Sequence, residues 1–358
     1  MKKLLALVLV GAMSFSLVAC GDSASAPAAE APAAEETTEA AEEPAEEATE
    51  EAAEAEAPAD DAAEGQTYNV GICQLVQHPA LDAATEGFKD ALNAQMGDGV
   101  VTFDEQNAQG DSNTCATIVN SFVSSSYDLI LANATAPLQA AAAATDSIPV
   151  LGTSVTDYAT ALEITDWNGT VGNNISGTSD LAPLDQQAAM IKELFPDAKN
   201  IGLLYCSAEP NSQYQVDVIE GYLADMGYTC TQYSFSDSND LSSVCTTAND
   251  NSDVIYVPTD NTAASNTELI NNICSGVTPI VTGEEGICAG CGVATLSISY
   301  YDLGYVTGQM AAKILLGTDD VKTMAVEYAP NVTKKYNAAN VEALGLTIPD
   351  GYEAIEAE

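Results

Sequence analysis

Polar side chains follow the apolar, strand-like runs of this sequence, and their types are those that hold a small polar ligand. The first run ends near Gln74 and is followed by His78, the only histidine among 358 residues. In sheets of parallel strands, ligands bind beyond the carboxyl ends of the strands. The candidate ligand-binding residues are therefore Gln74, His78, Thr135, Thr153, Asp157, Ser207, Glu209, Asn211, Ser212, Asp260 and Asn261.

These residue types fit a zwitterion, which carries one ammonium and one carboxylate group. The three carboxylates of the set would attract the ammonium group. Every basic residue of the chain is a lysine, so no arginine is available to clamp a carboxylate or phosphate. The ligand carboxylate would instead be held by backbone N–H groups and hydroxyls at helix starts, at Thr135, Ser207 and Ser212. Gln74, His78 and Thr153 would then line the wall of the first half.

Asp260 is the leading candidate for the ammonium partner, because it follows the apolar run VIYV and precedes a predicted helix start. In that role, Asp260→Asn is expected to leave the melting temperature of the free protein nearly unchanged and to weaken binding at least about tenfold. The alternative is a structural helix cap, whose loss would lower the melting temperature. The ammonium site would then lie at Glu209 or Asp157. Capping is equally open for Thr135, Ser212 and Asn261.

The sequence offers little for an enzyme. It contains no G-x-S-x-G, P-loop or H-E-x-x-H pattern, and no G-x-G-x-x-G follows the first strand. Any histidine-based triad would have to use His78. We therefore predict a binding protein without catalytic residues, cofactor or metal, and we interpret His78 as a wall of the pocket.

The cysteines give no compact disulfide pattern. Cys288 and Cys291 are the only closely spaced pair, and a zinc site would need a second pair or a nearby histidine. A local disulfide and free thiols both remain open. The residues whose pairing is undecided are Cys73, Cys115, Cys206, Cys230, Cys245, Cys274, Cys288 and Cys291.

The N-terminal segment is typical of export. Residues 1–20 have two lysines, an apolar stretch too short to span a bilayer, and the ending LVAC, which resembles a bacterial lipobox with Cys20 as the lipidated residue. Residues 21–65 contain 16 acidic residues and no basic one, so we expect a disordered Ala/Glu/Pro tether. The protein is thus expected on the extracytoplasmic face of the cell membrane, held by its lipid. The net charge of −44 argues against nucleic acid as a partner.

From residue 67 onward, short β-branched runs alternate with amphipathic helical segments. This alternation predicts an α/β fold with parallel sheets. A loop-rich stretch at 156–178, which contains the only tryptophan, Trp167, separates two runs of the pattern. We therefore predict two doubly wound lobes joined by a three-strand hinge: an N-terminal lobe of 67–178 plus 299–320, and a C-terminal lobe of 179–298 plus 321–358.

Seven segments carry a family resemblance over residues 67–348. They are GICQLVQHPALDAATEGFKDAL, NAQGD, TSVTD, NISGTSD, LLYCSAEPNSQYQV, VPTDN and LGYVTGQMAAKILLG. Together they resemble the ABC-transporter substrate-binding proteins of the tryptophan/tyrosine type, which have the type I periplasmic-binding-protein fold. The resemblance implies a monomeric lipoprotein that binds an aromatic amino acid (Trp, Tyr or Phe) in the interlobe cleft and delivers it to a permease.

Two other non-enzymatic functions are considered. A nucleoside- or sugar-binding lipoprotein of the same fold would stack its ligand between aromatic side chains such as Trp167. An adhesin or interaction lipoprotein would use the same tether, but it is expected to show repeats or exposed apolar patches, which the sequence lacks. The strand-end motifs favour the amino acid.

Overall fold

The computed structural model describes residues 66–329 and 331–356, all of which lie in one compact unit, Ala59–Glu358. The predicted signal peptide, the acidic tether and the lipidation site Cys20 lie outside the described residues. Within the described part, no helix is long and apolar enough to cross a membrane.

The first half of the chain builds a parallel sheet with helices on both faces. β-Branched and leucine-rich runs form the buried strands, and the helices turn their apolar side chains towards them. The elements are β1 (Tyr68–Gln74), α1 (Pro79–Met96), β2 (Val101–Asn107), α2 (Ser112–Ser124), β3 (Leu129–Asn133), α3 (Thr135–Ala144), β4 (Val150–Val155), α4 (Tyr158–Ala161) and β5 (Ile175–Ser179).

The second half repeats this alternation in a separate sheet. Its elements are α5 (Leu184–Leu194), β6 (Asn200–Cys206), α6 (Pro210–Asp225), β7 (Thr229–Phe235), α7 (Ser238–Asn251), β8 (Val254–Val257), α8 (Asn261–Ala264), α9 (Thr267–Cys274), β9 (Ile280–Thr282), α10 (Glu285–Cys291) and β10 (Ala294–Ser297).

The C-terminal part serves both lobes. It contains α11 (Tyr300–Leu315), β11 (Glu327–Tyr328), β12 (Thr333–Tyr336), α12 (Ala338–Ala343) and β13 (Glu353–Ala354). The first sheet has the order β11-β5-β4-β3-β1-β2, and the second has the order β13-β12-β10-β9-β8-β6-β7. The chain therefore passes between the sheets three times: after β5, after β10 and after β11.

One domain boundary and one loop differ from the sequence-based prediction. Residues 321–328 were expected in the second lobe, but Val321 and Met324 pack into the core of the first lobe and β11 pairs with β5. The loop-rich stretch 156–178 contains α4 and most of β5, a fully buried strand of the first sheet. The short run ISGTS is rich in glycine and serine, so its apolar content did not identify it as a strand.

Helix α11 fixes the returning chain to the first lobe by packing closely against α1. A Cβ atom at Gly87 would collide with the carbonyl oxygen of Tyr301, and one at Gly304 would collide with that of Ala84. Both glycines therefore let the two backbones approach, and they set the position from which Tyr300, the first residue of α11, enters the cleft.

Candidate functional site

A narrow pocket lies where the carboxyl ends of the two sheets face each other. It has about 280 Å³ of empty space, of which only about 10 Å³ admits the centre of a water molecule. A wider groove, in which about 920 Å³ admits the centre of a water molecule, shares Ala264, Glu284 and Tyr300 with it. The residues that line the pocket are His78, Leu81, Ser154, Thr156, Asp180, Asn211, Thr259, Asp260, Asn261, Ala264, Glu284 and Tyr300.

Four of the eleven candidate residues line this pocket: His78 from the first lobe, and Asn211, Asp260 and Asn261 from the second. The other seven do not line it. They are Gln74, Thr135, Thr153, Asp157, Ser207, Glu209 and Ser212.

Three of the four first-lobe residues outside the pocket have structural hydrogen-bond partners, and the fourth is buried. The Gln74 amide donates to Val76 O (3.0 Å) and to Asp82 Oδ1 (2.6 Å), so it ties β1 to α1. The Thr153 hydroxyl lies 3.3 Å from that of Thr178 on the neighbouring strand. Asp157 caps α4, because its Oδ1 accepts from Thr160 N at 2.7 Å. Thr135 is buried as the first residue of α3.

The second-lobe residues outside the pocket support the residues that line it. The Glu209 carboxylate accepts five hydrogen bonds, four of them from the backbone and side chains of Asn261 and Thr262 at 2.7–3.0 Å. It therefore fixes the start of α8. The buried Ser212 accepts from Asn211 Nδ2 at 3.3 Å, and Ser207 donates to Phe235 O at 3.1 Å.

Asp260 and Glu284 are pocket carboxylates whose oxygens already have backbone partners. Asp260 accepts from Ala263 N (2.8 Å) through Oδ1 and from Cys206 N (2.7 Å) through Oδ2. Glu284 caps α10 through both oxygens. Burial raises the pKa of each carboxyl to about 7, with the charge of Glu209 adding to the effect at Asp260. The structural cap is therefore the role that the geometry gives Asp260.

Asp180 is a pocket carboxylate that the sequence analysis did not select. It follows β5 directly, and its Oδ2 accepts from the Tyr300 hydroxyl at 2.9 Å. The two residues begin two of the three passages between the lobes. Burial raises the pKa of Asp180, while hydrogen bonds from Tyr300 and Thr156 oppose this. The signal that could have found it is the NISGTSD segment, in which an aspartate ends a short run with two β-branched residues.

Three buried polar atoms of pocket residues have no hydrogen-bond partner among residues 66–329 and 331–356: His78 Nδ1, Ser154 Oγ and Asp180 Oδ1. Buried polar groups are nearly always paired, so unpaired ones that line a pocket are sites where a ligand or an ordered water can bind. Ser154 also has φ +54°, a left-handed conformation rare for serine. Such strain concentrates at ligand sites.

The charge of the pocket favours a cationic group. Three carboxylates line it (Asp180, Asp260 and Glu284), and none of its described lining residues is a lysine. His78 is the only nitrogen base in the lining, and burial lowers its pKa, which keeps the ring neutral near pH 7. Within the described residues, no cluster of three His, Cys, Asp or Glu side chains has the arrangement of a metal site.

The cysteines and Trp167 lie outside the pocket. The eight cysteines of the described part are free thiols, and all but Cys230 are buried. Trp167 packs against the core of the first lobe and does not line the pocket. It therefore has no place as a stacking partner for a sugar or nucleoside there.

Comparison with known proteins gives the family. Residues 69–356 match the model of the family described as ABC transporter substrate binding protein. A tyrosine-binding protein of Clostridioides difficile (strain R20291) is 38% identical over 253 residues, which cover 70% of this chain and 73% of that protein.

Two solved structures extend the similarity. An ABC domain from Streptococcus pneumoniae in complex with L-Trp is 32% identical, with a TM-score of 0.76, and the match covers 81% of this chain and all of that one. The ligand-free, open structure of a substrate-binding protein with adhesive properties from Clostridium difficile is 35% identical, with coverage of 82% and 100%. Its TM-score is only 0.64. The backbone is therefore closer to the L-Trp complex, although the sequence is closer to the open protein. The chain belongs to the family of ABC transporter substrate-binding proteins.

Proposed function

We propose that this protein binds an amino acid, one of tryptophan, tyrosine and phenylalanine, between its lobes and delivers it to the permease of an ABC importer. The single observation that carries the amino acid is the free oxygen of Asp180 in a pocket without lysine or arginine. The aromatic class follows from the relatives, of which one is named for tyrosine and another holds L-Trp.

Asp180 is the ammonium partner in this proposal. Among the three pocket carboxylates, it alone has an oxygen without a hydrogen-bond partner in the described residues, whereas Asp260 and Glu284 each use both oxygens as caps. An ammonium group would complete the hydrogen bonding of Asp180 and stabilise its charged form. A charge-assisted bond of this kind contributes about 1.5–3 kcal/mol.

The ligand carboxylate is assigned to the start of α1. This 18-residue helix has no side-chain cap, and Asp82 N makes its first backbone bond, to His78 O. The N–H groups of Ala80 and Leu81 are therefore free to bind an anion, and Leu81 lines the pocket. The unpaired Ser154 hydroxyl supplies a further donor.

Binding must be coupled to movement of the lobes. The pocket is too narrow for an aromatic ring, so the ligand needs the lobes to part or the adjoining groove to take its side chain. Three chain passages provide a hinge of the type that closes on ligands in binding proteins. The closed, ligand-bound form is then what the permease recognises.

The test is calorimetric titration of the full chain with L-tyrosine, L-tryptophan and L-phenylalanine, beside a nucleoside, a sugar and non-aromatic amino acids. We expect binding of at least one aromatic amino acid, together with a raised melting temperature. At 100 times the dissociation constant, the stabilisation is about 2.7 kcal/mol. Binding of the nucleoside or sugar alone would reverse the assignment.

We also propose that the protein is held on the outer face of the cell membrane by lipid on Cys20, with residues 21–65 as its tether. The lipobox-like ending LVAC and the acidic composition that follows it support this. The expected result is that wild-type protein stays with the membrane fraction and Cys20→Ser is released. Wild-type protein in the medium would contradict the proposal.

A further inference from the structure

We propose that His78 couples ligand recognition to lobe closure: Nδ1 accepts a hydrogen bond from the ligand's ammonium group, while Nε2–H donates to Asn261 of the second lobe. The inference rests on the proposed function, because it names the ligand group that His78 contacts. In this arrangement, His78 has its proton on Nε2, and its ring must be neutral for the ligand to bind.

The tautomer follows from the orientation of Asn261. Its Nδ2 donates to Glu209 Oε2 at 2.7 Å, so its Oδ1 is the atom that lies 3.2 Å from His78 Nε2. An amide oxygen can only accept a hydrogen bond, and Nε2 must therefore carry the proton. In a neutral ring the other nitrogen then has a free lone pair. This is Nδ1, which is buried among pocket residues without a partner in the described part of the chain.

The surroundings of His78 set its charge. His78 is 7% exposed, and the loss of hydration on burial lowers its pKa more than its neighbours raise it. The neighbours that act on it directly are the Asn261 amide and the carboxylates of Glu209 and Asp82. The titratable groups that share its pocket are Asp180 after β5, Asp260 before α8, Glu284 before α10 and Tyr300 in α11.

This geometry links the two lobes through the ligand. His78 is the N-cap residue of α1 in the first lobe, and Asn261 begins α8 in the second. When the lobes part, the contact between His78 and Asn261 is broken. Protonation of Nδ1 would place an N–H group against the ammonium, and acid would therefore weaken binding.

The experiment uses the fact that the chain has one histidine. Full-length protein without a histidine tag is labelled with ¹⁵N-histidine, and its long-range ¹H–¹⁵N spectrum gives the tautomer and charge of His78 without an assignment step. In the complex with the tightest-binding amino acid at pH 7.5, we expect a neutral ring with the proton on Nε2. We also expect the pKa of His78 to be lower in the complex than in the free protein.

Two isosteric variants test the roles of the two ring nitrogens of His78 separately. His78→Gln keeps a donor near the Nε2 position and loses the Nδ1 acceptor, whereas His78→Asn keeps an acceptor near Nδ1 and loses the contact with Asn261. We expect His78→Gln to bind about three- to tenfold more weakly at pH 7.5. Between pH 7.5 and 5, its affinity should also fall less steeply than that of wild type, because only the carboxylates still titrate.

The outcomes are distinct. An imidazolium, or a neutral ring protonated on Nδ1, in a complex that does form would overturn the inference and leave the proposed function standing. Equal pH dependence of wild type and His78→Gln would also overturn it. If no aromatic amino acid binds at any pH, the proposed function and the inference fail together.

Discussion

The two lobes contribute to the pocket in different ways. On the first-lobe side, His78, Ser154 and Asp180 each present a buried polar atom without a partner in the described chain. On the second-lobe side, Asp260 and Glu284 have both carboxylate oxygens bonded to backbone N–H groups. In the function proposed above, the first lobe supplies the hydrogen bonds that recognise the ligand, and the second supplies an acidic wall of bonded carboxyl groups that closes over it. Four predictions test this division.

Asp180→Asn should have the largest effect on binding. It keeps the size of the side chain and an oxygen for the Tyr300 hydroxyl, but it removes the charge offered to the ligand. The loss of a charge-assisted bond predicts about 10- to 150-fold weaker binding of the amino acid by calorimetry. Because burial disfavours the Asp180 charge, the melting temperature of the free protein should not fall. A large drop in that melting temperature with unchanged affinity would assign Asp180 to the hinge alone.

Asp260→Asn should affect folding first. Asparagine can cap α8 as well as aspartate can, but its amide nitrogen would face the N–H of Cys206 in place of Oδ2. We expect a loss of about 1–2 kcal/mol in the free energy of unfolding. Asp111→Asn is the matched control, since Asp111 caps α2 at the exposed Thr114 N through one oxygen, and that change should cost little. Equal losses in the free energy of unfolding for the two variants would contradict the structural role of Asp260 in the second lobe.

Ser154→Ala and Thr153→Val form a neighbouring pair with opposite expectations. The Ser154 hydroxyl has no partner in residues 66–329 and 331–356, so its removal should leave stability unchanged and weaken binding about three- to tenfold. The Thr153 hydroxyl bonds that of Thr178 away from the pocket, so its loss should lower stability and spare affinity. Thermal melts and titrations of both variants decide this. The reverse pattern would move the recognition surface to the other face of β4.

The last prediction concerns the pH dependence of stability. The carboxyls of Asp260 and Glu284 have a pKa of about 7 in the folded protein against about 4 when unfolded, so the folded state binds more protons between these values. Their contribution to stability is complete below pH 4 and is lost as pH rises through 7. The lowered pKa of His78 acts in the opposite direction, but it is one group against three, because the pKa of Asp180 is raised as well. We expect denaturant titrations of the free protein to give a lower free energy of unfolding at pH 8 than at pH 5.

The fold could be predicted from the sequence because strand and helix periods alternate clearly from residue 67 onward. The strand-end rule also selected four residues that line the candidate pocket, His78, Asn211, Asp260 and Asn261. The differences between prediction and structure are local. The sequence selected Thr153, whereas its neighbour Ser154 lines the pocket, and the pairing of β4 with β5 shifts register between Gly152 and Val155. This shift in register, together with the positive φ of Ser154, determines which side chain faces the cleft. The residue pattern does not predict either feature.

The most important omission has a different cause. Asp180 was not selected because the strand before it, ISGTS, has only one isoleucine and resembles a loop. That strand is held in place by hydrogen bonds to residues far along the chain, among them Met324 and Thr307. The competition between capping and ligand binding at Asp260 also could not be decided from the sequence. It depends on Cys206 N, which is 54 residues away.

One thermodynamic cycle tests the central claim most directly. Wild type and Asp180→Asn are each titrated with L-tyrosine and with 3-(4-hydroxyphenyl)propionate, which lacks only the ammonium group; the corresponding pair for tryptophan or phenylalanine replaces these if that amino acid binds more tightly. If the ammonium binds Asp180, removing it from the ligand weakens binding to wild type, and Asp180→Asn then causes little further loss for the propionate. Losses that simply add, with Asp180→Asn weakening both ligands by the same factor, would contradict the account.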